Sequence, residues 1–235
     1  MSDNNKITRI VCSGGGAKGI VYPAAFRALK KTGAFKNIEN LSGASAGAIT
    51  SSFMAFGMDD EVFRAKLLNT NFKSLMGNKV QNKTQGCCFL TKDGLKMLEF
   101  IRESIIESTI SSIINISQEL IDQLSEKDNS DFLLLKEKLQ QDKPTINFSD
   151  LGLLNKIDPK QFKKLTITAV KYPEGELQVF DCESTPNVEV ALAARASASI
   201  PVILEPVEID VNGEVKRFID GGMFDNLPTD YFDKD

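Results

Sequence analysis

Ser45 stands between two glycines in the pattern Gly43-x-Ser45-x-Gly47, between a short predicted strand and a run of small and apolar residues. Such glycines permit a strained strand-to-helix turn that lifts a serine hydroxyl out of a sheet. The amides at the start of the following helix would carry partial positive charge toward an anion formed there. The pattern therefore predicts that Ser45 is a nucleophile, and the alternative is a structural serine in a turn.

A serine nucleophile needs a base, and the sequence contains no histidine. The base must then be a carboxylate, a lysine or a tyrosine within about 2.6 to 3.2 Å. Asp220 has the best local setting, because it ends an apolar segment and Gly221-Gly222 lets the backbone pass close to another segment. Asp220 follows Ser45 by 175 residues, so only a shared sheet edge would bring them together. By local pattern alone, Asp-Gly-Gly also fits an ordinary turn.

A glycine cluster near the N-terminus could bind the negative charge that such chemistry produces. Gly14, Gly15 and Gly16, followed by Lys18, supply unobstructed backbone N–H groups between a predicted strand and a helix. This loop could be an oxyanion hole in which the amides of Gly15 and Gly16 donate, while Lys18 orients the loop or adds positive potential.

The same cluster supports a rival hypothesis, a dinucleotide site. Gly14-x-Gly16-x-x-Gly19 fits the dinucleotide fingerprint, and Glu39 lies 20 residues after Gly19, near the end of the next predicted strand, where a ribose-binding acid would lie. A dinucleotide site leaves the turn around Ser45 unexplained. A phosphate-binding P-loop fits less well, because Ile20 follows Gly19 where lysine is required.

The elements that must position these residues alternate between strand and helix. The patterns predict a strand at about 7–12, followed by a glycine turn and a helix at 20–31. They predict a second strand at 38–41, followed by a glycine turn and a helix that ends at about 57. This alternation is typical of a parallel sheet covered by helices. The second half predicts, in order, strands at 165–171 and 177–182, a small-residue helix at 188–199, and a hairpin of strands 207–211 and 215–219 around Asn212-Gly213.

Residues 59–145 interrupt this alternation. Apolar residues recur there at spacings of three and four, which predicts helices. The block is interpreted as a helical insertion that could cover a site, or as an ordinary helical layer against the sheet. The predicted organisation is a single domain at 7–235 carrying this insertion, after a polar tail at 1–6.

Composition excludes several classes of protein. The 235 residues carry a net charge of −4, which disfavours nucleic acid as a ligand. The four cysteines, Cys12, Cys87, Cys88 and Cys182, form no CxxC pair and are interpreted as free thiols, so no metal site or cofactor is expected. No signal peptide or apolar transmembrane segment is visible, so a soluble chain from a reducing compartment, reaching membranes only at their surface, is expected.

Membrane contact would have to come mainly from apolar residues, because a net charge of −4 is not attracted to anionic lipid. The candidates are Phe53, Phe56, Phe72, Phe89 and Leu90, although a phenylalanine is more often a core residue than a membrane contact. A local basic surface is the second candidate, against the alternative of solvated side chains, and would comprise Lys30, Lys31, Lys36, Lys73, Lys79 and Lys83.

Together, the glycine cluster, Gly43-x-Ser45-x-Gly47 and Asp220-Gly221-Gly222 resemble the patatin-like phospholipases. The small-residue block at 196–201 and the Asp-Asn-Leu-Pro at 225–228 resemble that family too. The resemblance covers about 7–57 and 165–228, and implies a three-layer α/β fold with a mainly parallel central sheet, related to the α/β hydrolases. It implies a catalytic dyad of Ser45 and Asp220, and an oxyanion hole at Gly14, Gly15, Gly16 and Lys18.

The resemblance also implies an activity: hydrolysis of phospholipid or lysophospholipid esters at a membrane surface through an acyl-enzyme. Several bacterial members are effectors that work inside host cells after a host protein activates them, and the stretch from Cys12 to Leu29 resembles those members. A host activator and a host-cytosol location are therefore expected. A catalytically silent membrane-binding module of the same fold is the remaining alternative.

Overall fold

The computed structural model describes residues 7–84 and 87–232, without the side chains of 81–90 and 232. The predicted tail at 1–6 lies outside the described residues, as do the side chains of Lys83, Phe89, Leu90, Cys87 and Cys88. The other two cysteines, Cys12 and Cys182, are free thiols.

Strands and helices alternate in the first and last thirds of the chain, and helices dominate between them. The strands are β1 (Arg9–Cys12), β2 (Asn40–Gly43), β3 (Lys79–Thr84), β4 (Cys87–Lys92), β5 (Lys164–Tyr172), β6 (Leu177–Phe180), β7 (Val207–Val211) and β8 (Glu214–Asp220). The α-helices are α1 (Tyr22–Lys31), α2 (Ala46–Ala55), α3 (Asp60–Leu68), α4 (Phe72–Leu75), α5 (Leu95–Ile113), α6 (Gln118–Asp122), α7 (Glu126–Lys138), α8 (Phe148–Ile157) and α9 (Val190–Ser197). A 3-10 helix at Gly16–Val21 leads into α1, where the sequence predicted one continuous helix from about residue 20.

The main sheet has the order β1-β2-β5-β8-β7, with β6 also paired to β5. The central strands β1, β2 and β5 run parallel, whereas β6 and β8 pair antiparallel with β5, and β7 with β8. Helices flank this sheet, as the predicted fold class requires. The hairpin between β7 and β8 turns at Asn212 and Gly213, whose φ angles of 55° and 90° match the primed turn that Asn-Gly favours.

Pairing on β5 brings two strands to one edge. Ile167 pairs with both Gly43 of β2 and Phe180 of β6, while Ala169 pairs with both Asp220 of β8 and Gln178 of β6. Because a strand residue has one partner on each side, β2 and β8 lie on the same edge of β5, opposite β6. They run in opposite directions there, so their carboxyl ends face each other across Thr168.

The core lies between this sheet and the helices α2 and α9, with α5 packed on both. Small residues dominate α2, and eight of its ten residues are buried. Phe53 and Phe56 are fully buried, and the Phe53 ring packs edge-on against Phe63 of α3. Phe53 and Phe56 are therefore core residues, the alternative to membrane contact, because helices α3 and α5 cover that side of α2.

The insertion differs from the prediction in one element. Between α4 and α5 the chain forms an antiparallel pair, β3 and β4, rather than a helix. Its end is tied to the main body, because Lys92 forms a bridge with Leu204 and its N–H donates to the Ile203 carbonyl at 2.9 Å. Within the described residues, no helix has both the length and the apolar character needed to cross a membrane.

Candidate active site

Ser45 occupies the turn between β2 and α2 with φ +54° and ψ −126°. A positive φ is rare for serine and identifies a strained turn of the nucleophile-elbow type. Neither flanking glycine leaves room for a side chain. A Cβ on Gly47 would lie 2.0 Å from the Cys12 carbonyl oxygen, and one on Gly43 would lie 2.4 Å from the Gly47 carbonyl oxygen. The turn therefore packs backbone directly on backbone, and α2 begins beneath the Ser45 side chain.

Asp220 ends β8 at the point where that strand meets β2. Its Oδ2 accepts a hydrogen bond from Ser45 Oγ at 2.7 Å, and its Oδ1 accepts one from the Gly222 N–H at 2.7 Å. Gly221 is needed here, since a Cβ on it would lie 2.1 Å from the Thr168 carbonyl oxygen. The two residues that sequence patterns singled out, 175 positions apart, are thus in direct contact.

Ser45 and Asp220 are both buried, and this burial affects the ionisation of the Asp220 carboxyl. Asp220 is 4% exposed and Ser45 is 6% exposed. Desolvation raises the pKa of the Asp220 carboxyl above its ordinary value, although the hydrogen bonds from Ser45 and Gly222 act in the opposite direction. A carboxylate with a raised pKa is a stronger base, which suits the removal of a proton from the serine hydroxyl.

Ser197, which sequence analysis did not single out, supports the turn at Ser45. Its Oγ accepts a hydrogen bond from the Ser45 backbone N–H at 2.9 Å and donates one to the Thr168 carbonyl at 2.6 Å. Two residues further on, the Ser199 carbonyl accepts a hydrogen bond from the Asp220 backbone N–H at 3.0 Å. The segment 197–199 therefore bonds to both members of the pair.

Arg195 holds the segment 197–199 in place through the Ser199 hydroxyl. The side chain is 2% exposed, and its guanidinium donates to the Ser199 hydroxyl and to the carbonyls of Gly94 and Asp93, both at 3.1 Å. Burial lowers the pKa of Arg195 to about 10. Arg195 thus connects α9 to the start of α5 in the insertion. Only the small-residue composition of 196–201 signalled this segment in the sequence.

The glycine loop lies against Ser45. A Cβ on Gly14 would lie 2.9 Å from the Ser45 Cβ and 2.2 Å from Asn226 Oδ1. The Gly14 N–H donates to the Asn226 carbonyl at 3.0 Å, so this amide already has a hydrogen-bond partner within the protein. Gly16 has φ +54°, and Lys18 is exposed, with its N–H bonded to the Gly15 carbonyl at 3.1 Å.

An apolar cavity of about 300 Å³ opens beside Ser45. The glycine loop, α2 and the segment 198–204 form one side, and the insertion helices α3, α4 and α5 form the other. Its inner lining is mostly aliphatic and aromatic, and includes Ile49, Phe63, Leu67, Met97 and Phe100. Residues between 63 and 100, from the 59–145 block, therefore supply much of the apolar wall beside Ser45.

The dinucleotide hypothesis fails on the position of Glu39. The acid that binds a ribose follows the carboxyl end of the second strand, near the glycine loop. Glu39 instead immediately precedes β2, whose first residue Asn40 pairs with Arg9 at the start of β1. The glycine loop follows the carboxyl end of β1, whereas Glu39 lies at the amino ends of β1 and β2. The two are therefore at opposite ends of these strands. The predicted strand was placed two residues too early, and this shift produced the false match.

Comparison with protein families and curated proteins identifies relatives. A family model described as "Patatin-like phospholipase" matches residues 10–233. The chain is 23% identical over 222 residues to "Probable lipid hydrolase 463L" of Invertebrate iridescent virus 6, and 25% identical over 235 residues to "Uncharacterized protein YqhO" of Bacillus subtilis (strain 168). These matches cover 94% and 96% of this chain, but only 61% and 66% of the two relatives.

Solved structures share the fold. VipD from Legionella pneumophila matches with a TM-score of 0.79 at 22% identity, over 95% of this chain and 47% of that one. ExoU of the Pseudomonas aeruginosa type III secretion system, solved in complex with SpcU, matches with a TM-score of 0.64 at 26% identity, over 84% of this chain and 39% of that one. The chain thus spans less than half the length of these two solved proteins.

Proposed function

The chain belongs to the patatin-like phospholipase family, and on that premise we propose that it is a lipid acyl hydrolase of the phospholipase A or lysophospholipase type. The observation that carries this proposal is the hydrogen bond from Ser45 Oγ to Asp220 Oδ2, 2.7 Å long and buried beside the glycine loop. This bond gives a serine hydroxyl a base without histidine. Ser45 is the proposed nucleophile and Asp220 the proposed base.

The proposed reaction has two steps that balance in protons. Asp220 Oδ2 takes the proton of Ser45 Oγ as that oxygen attacks the ester carbonyl carbon, and returns it to the departing alcohol oxygen as the acyl-enzyme forms. A water molecule then loses a proton to Asp220 and attacks the acyl-enzyme, and the proton returns to Ser45 as the fatty acid leaves.

The oxyanion of each step would be stabilised by backbone amides. Gly15 and Gly16 are the proposed donors, with the start of α2 adding its partial positive charge. Gly14 supports the loop through Asn226, and the exposed Lys18 adds positive potential. Gly43 and Gly47 keep the Ser45 turn in place through their backbone contacts.

The cavity supports a lipid as the substrate. An ester held at Ser45 would place its acyl chain against the apolar wall, which offers dispersion contacts and little hydrogen bonding. In the proposed domain organisation, residues 7–235 form a single unit and the insertion at 59–145 covers the acyl chain.

The proposal extends to partners and location. The substrate is a phospholipid or lysophospholipid at a membrane surface, and full turnover requires an activating host protein in the cytosol of a host cell. ExoU, named as a type III effector protein, was solved in complex with SpcU of the same bacterial secretion system, which supports a protein partner in general; the host origin of the activator is part of the proposal. Hydrolysis of lipid micelles, measured with and without host-cell extract, tests the partner. Full turnover by the purified chain would contradict it.

The experiment that tests the dyad is covalent labelling. A fluorophosphonate probe should label Ser45, and mass spectrometry should locate the adduct there. Ser45→Ala should abolish labelling, and Asp220→Asn should slow it by about 10² to 10⁴-fold, the usual contribution of a general base. Ser51→Ala is the matched control, because it removes another buried hydroxyl of α2, one that donates to the Ser42 carbonyl at 2.9 Å and does not contact Asp220.

Two outcomes would contradict the proposal. An adduct that persists in Ser45→Ala would place the reactive nucleophile elsewhere. A chain that binds vesicles but is never labelled, and releases no fatty acid, would be the catalytically silent membrane-binding module of the same fold.

A further inference from the structure

Large apolar side chains surround the opening of the cavity. Four of its lining residues, Ile20, Phe72, Ile200 and Ile203, are between 36% and 47% exposed. They come from three separate segments of the chain: the glycine loop, the insertion and the stretch after α9. Val21 and Val202 adjoin them in sequence and are 61% and 69% exposed. We call these six residues the apolar mouth.

We propose that the apolar mouth is the surface by which this chain docks on a phospholipid bilayer. The inference rests on the proposed function and names the surface through which its substrate enters. The opening connects the protein surface with the cavity beside Ser45, so the side chains that surround it would meet a membrane first when an acyl ester enters by this route. Exposed apolar side chains gain free energy when they leave water for the boundary between headgroups and acyl chains.

Val202 provides a second, independent observation. Its φ is +71°, a conformation that β-branched residues rarely adopt. The backbone around it is fixed, since the Ile203 N–H donates to the Ile200 carbonyl at 3.2 Å and the Ile203 carbonyl accepts from the Lys92 N–H at 2.9 Å. The fold thus holds an exposed valine in a strained conformation that glycine or asparagine would adopt more easily. Strain of this kind is typical of functional positions.

The charges at the mouth fit phospholipid headgroups. Lys73 is the one charged residue among the described residues that line the cavity, and Lys18 is exposed between two lining residues, Ala17 and Gly19. Carboxylates are absent from that lining. Cationic side chains beside an apolar surface favour a membrane whose headgroups carry phosphate, despite the net charge of −4 on the whole chain.

Val202→Asn tests the docking surface against a matched control. Asparagine tolerates the backbone conformation at 202, so the variant should have an unchanged or higher melting temperature. Its binding to vesicles of phosphatidylcholine and phosphatidylserine should weaken about tenfold in co-sedimentation. The control is Val215→Asn, because Val215 is also 68% exposed but lies five residues before Asp220 on β8, roughly 16 Å from the site along the strand.

Fluorescence gives a second measurement, because the sequence contains no tryptophan. Val21→Trp introduces a single reporter at the mouth, and its emission should shift to shorter wavelength when the vesicles are added. Val215→Trp should show no such shift.

Hydrolysis of a short-chain, water-soluble ester by the unmodified chain in the presence of host-cell extract, corrected for the background measured with Ser45→Ala, separates this inference from the proposed function. If the ester is hydrolysed but the Val202 and Val215 variants bind vesicles equally, the docking surface is wrong while the function stands. If the unmodified chain binds no vesicles, the proposed docking surface is also wrong. The apolar mouth would then be expected to bind a protein. If the ester is untouched but Val202→Asn alone loses vesicle binding, the docking surface stands and the proposed function fails.

Discussion

The backbone N–H of Ser45 donates a hydrogen bond to the side-chain oxygen of Ser197, 2.9 Å away at the end of α9. The Ser45 backbone has a positive φ, which costs a non-glycine residue about 1 to 2 kcal/mol and persists only where the surroundings hold it. Ser197 is also bonded to the Thr168 carbonyl, at the point where β2 and β8 meet. Ser197 is therefore a positioning residue for the proposed nucleophile.

Ser197→Ala should lower kcat about tenfold and leave KM nearly unchanged, because the turn loses its anchor while the cavity keeps its lining. The variant should also lose about 1 to 2 kcal/mol of unfolding free energy, since a buried N–H and a buried carbonyl lose their partner. Ser197→Thr keeps the hydroxyl and should recover part of kcat. Ser108→Ala removes a comparable buried bond, to the Phe56 carbonyl at 2.9 Å, and should lower stability alone. An equal loss of kcat in both alanine variants would contradict a positioning role.

The pH dependence of hydrolysis should report Asp220. The base must be ionised, and burial raises its pKa above the ordinary value of 3.8. Activity should therefore fall as the pH decreases through the raised pKa, and should be lost at a higher pH than a solvent-exposed aspartate would give. The kcat/KM profile of the free enzyme measures this value. A profile flat down to pH 4 would contradict the assignment.

Asp220→Asn should stabilise the fold while it abolishes most activity. A raised native pKa means that the native state binds its proton more tightly than the unfolded state, so ionised Asp220 destabilises the fold at neutral pH. Asparagine removes that charge, and melting at pH 7 should occur at a higher temperature than in the unmodified chain. The difference should shrink as the pH falls through the native pKa toward the unfolded value. A larger difference in melting temperature at low pH would show that the pKa of Asp220 is not raised in the native state.

Gly47→Ala should destabilise the fold by about 3 kcal/mol, at the upper end of the usual cost of overpacking, because the new Cβ would lie 2.0 Å from a backbone oxygen of Cys12. Gly152→Ala is the control. Gly152 lies within α8, and a Cβ there would meet Cys182 at an ordinary 3.4 Å, so alanine should gain up to about 1 kcal/mol from its helix propensity. Urea denaturation of both variants measures the contrast.

Arg195→Met should cost about 3 kcal/mol of unfolding free energy, because the carbonyls of Gly94 and Asp93 would lose a buried charged donor. Hydrogen exchange should quicken at the start of α5, which Arg195 ties to α9. Arg102→Met breaks a more exposed ion pair, with Glu189 at 2.6 Å, and should cost about 1 kcal/mol or less. Similar losses in the two variants would argue against the role of Arg195 in fixing the insertion.

Local chemistry was enough to predict much of this fold. The turn around Ser45, the hairpin at Asn212-Gly213 and the small-residue helix α9 each depend on a few neighbouring residues, and the structure contains all three. The pair β3 and β4 was missed, because a short strand pair inside a helical block carries little periodicity. Glu39 was misplaced because strand boundaries are the least reliable part of such predictions.

The sequence by itself determined which side chains are candidates: without histidine, the base for a glycine-flanked Ser45 had to be a carboxylate, a lysine or a tyrosine, and Asp220 had the best local setting. Only the tertiary structure decided that these two meet, because β2 and β8 end head-on along one edge of β5, and strand pairing over such separations is not encoded in any local pattern. The tertiary structure also decided which apolar residues are exposed. Phe53 lies in the core and Val202 at the mouth, since burial depends on what packs over a side chain and not on its type.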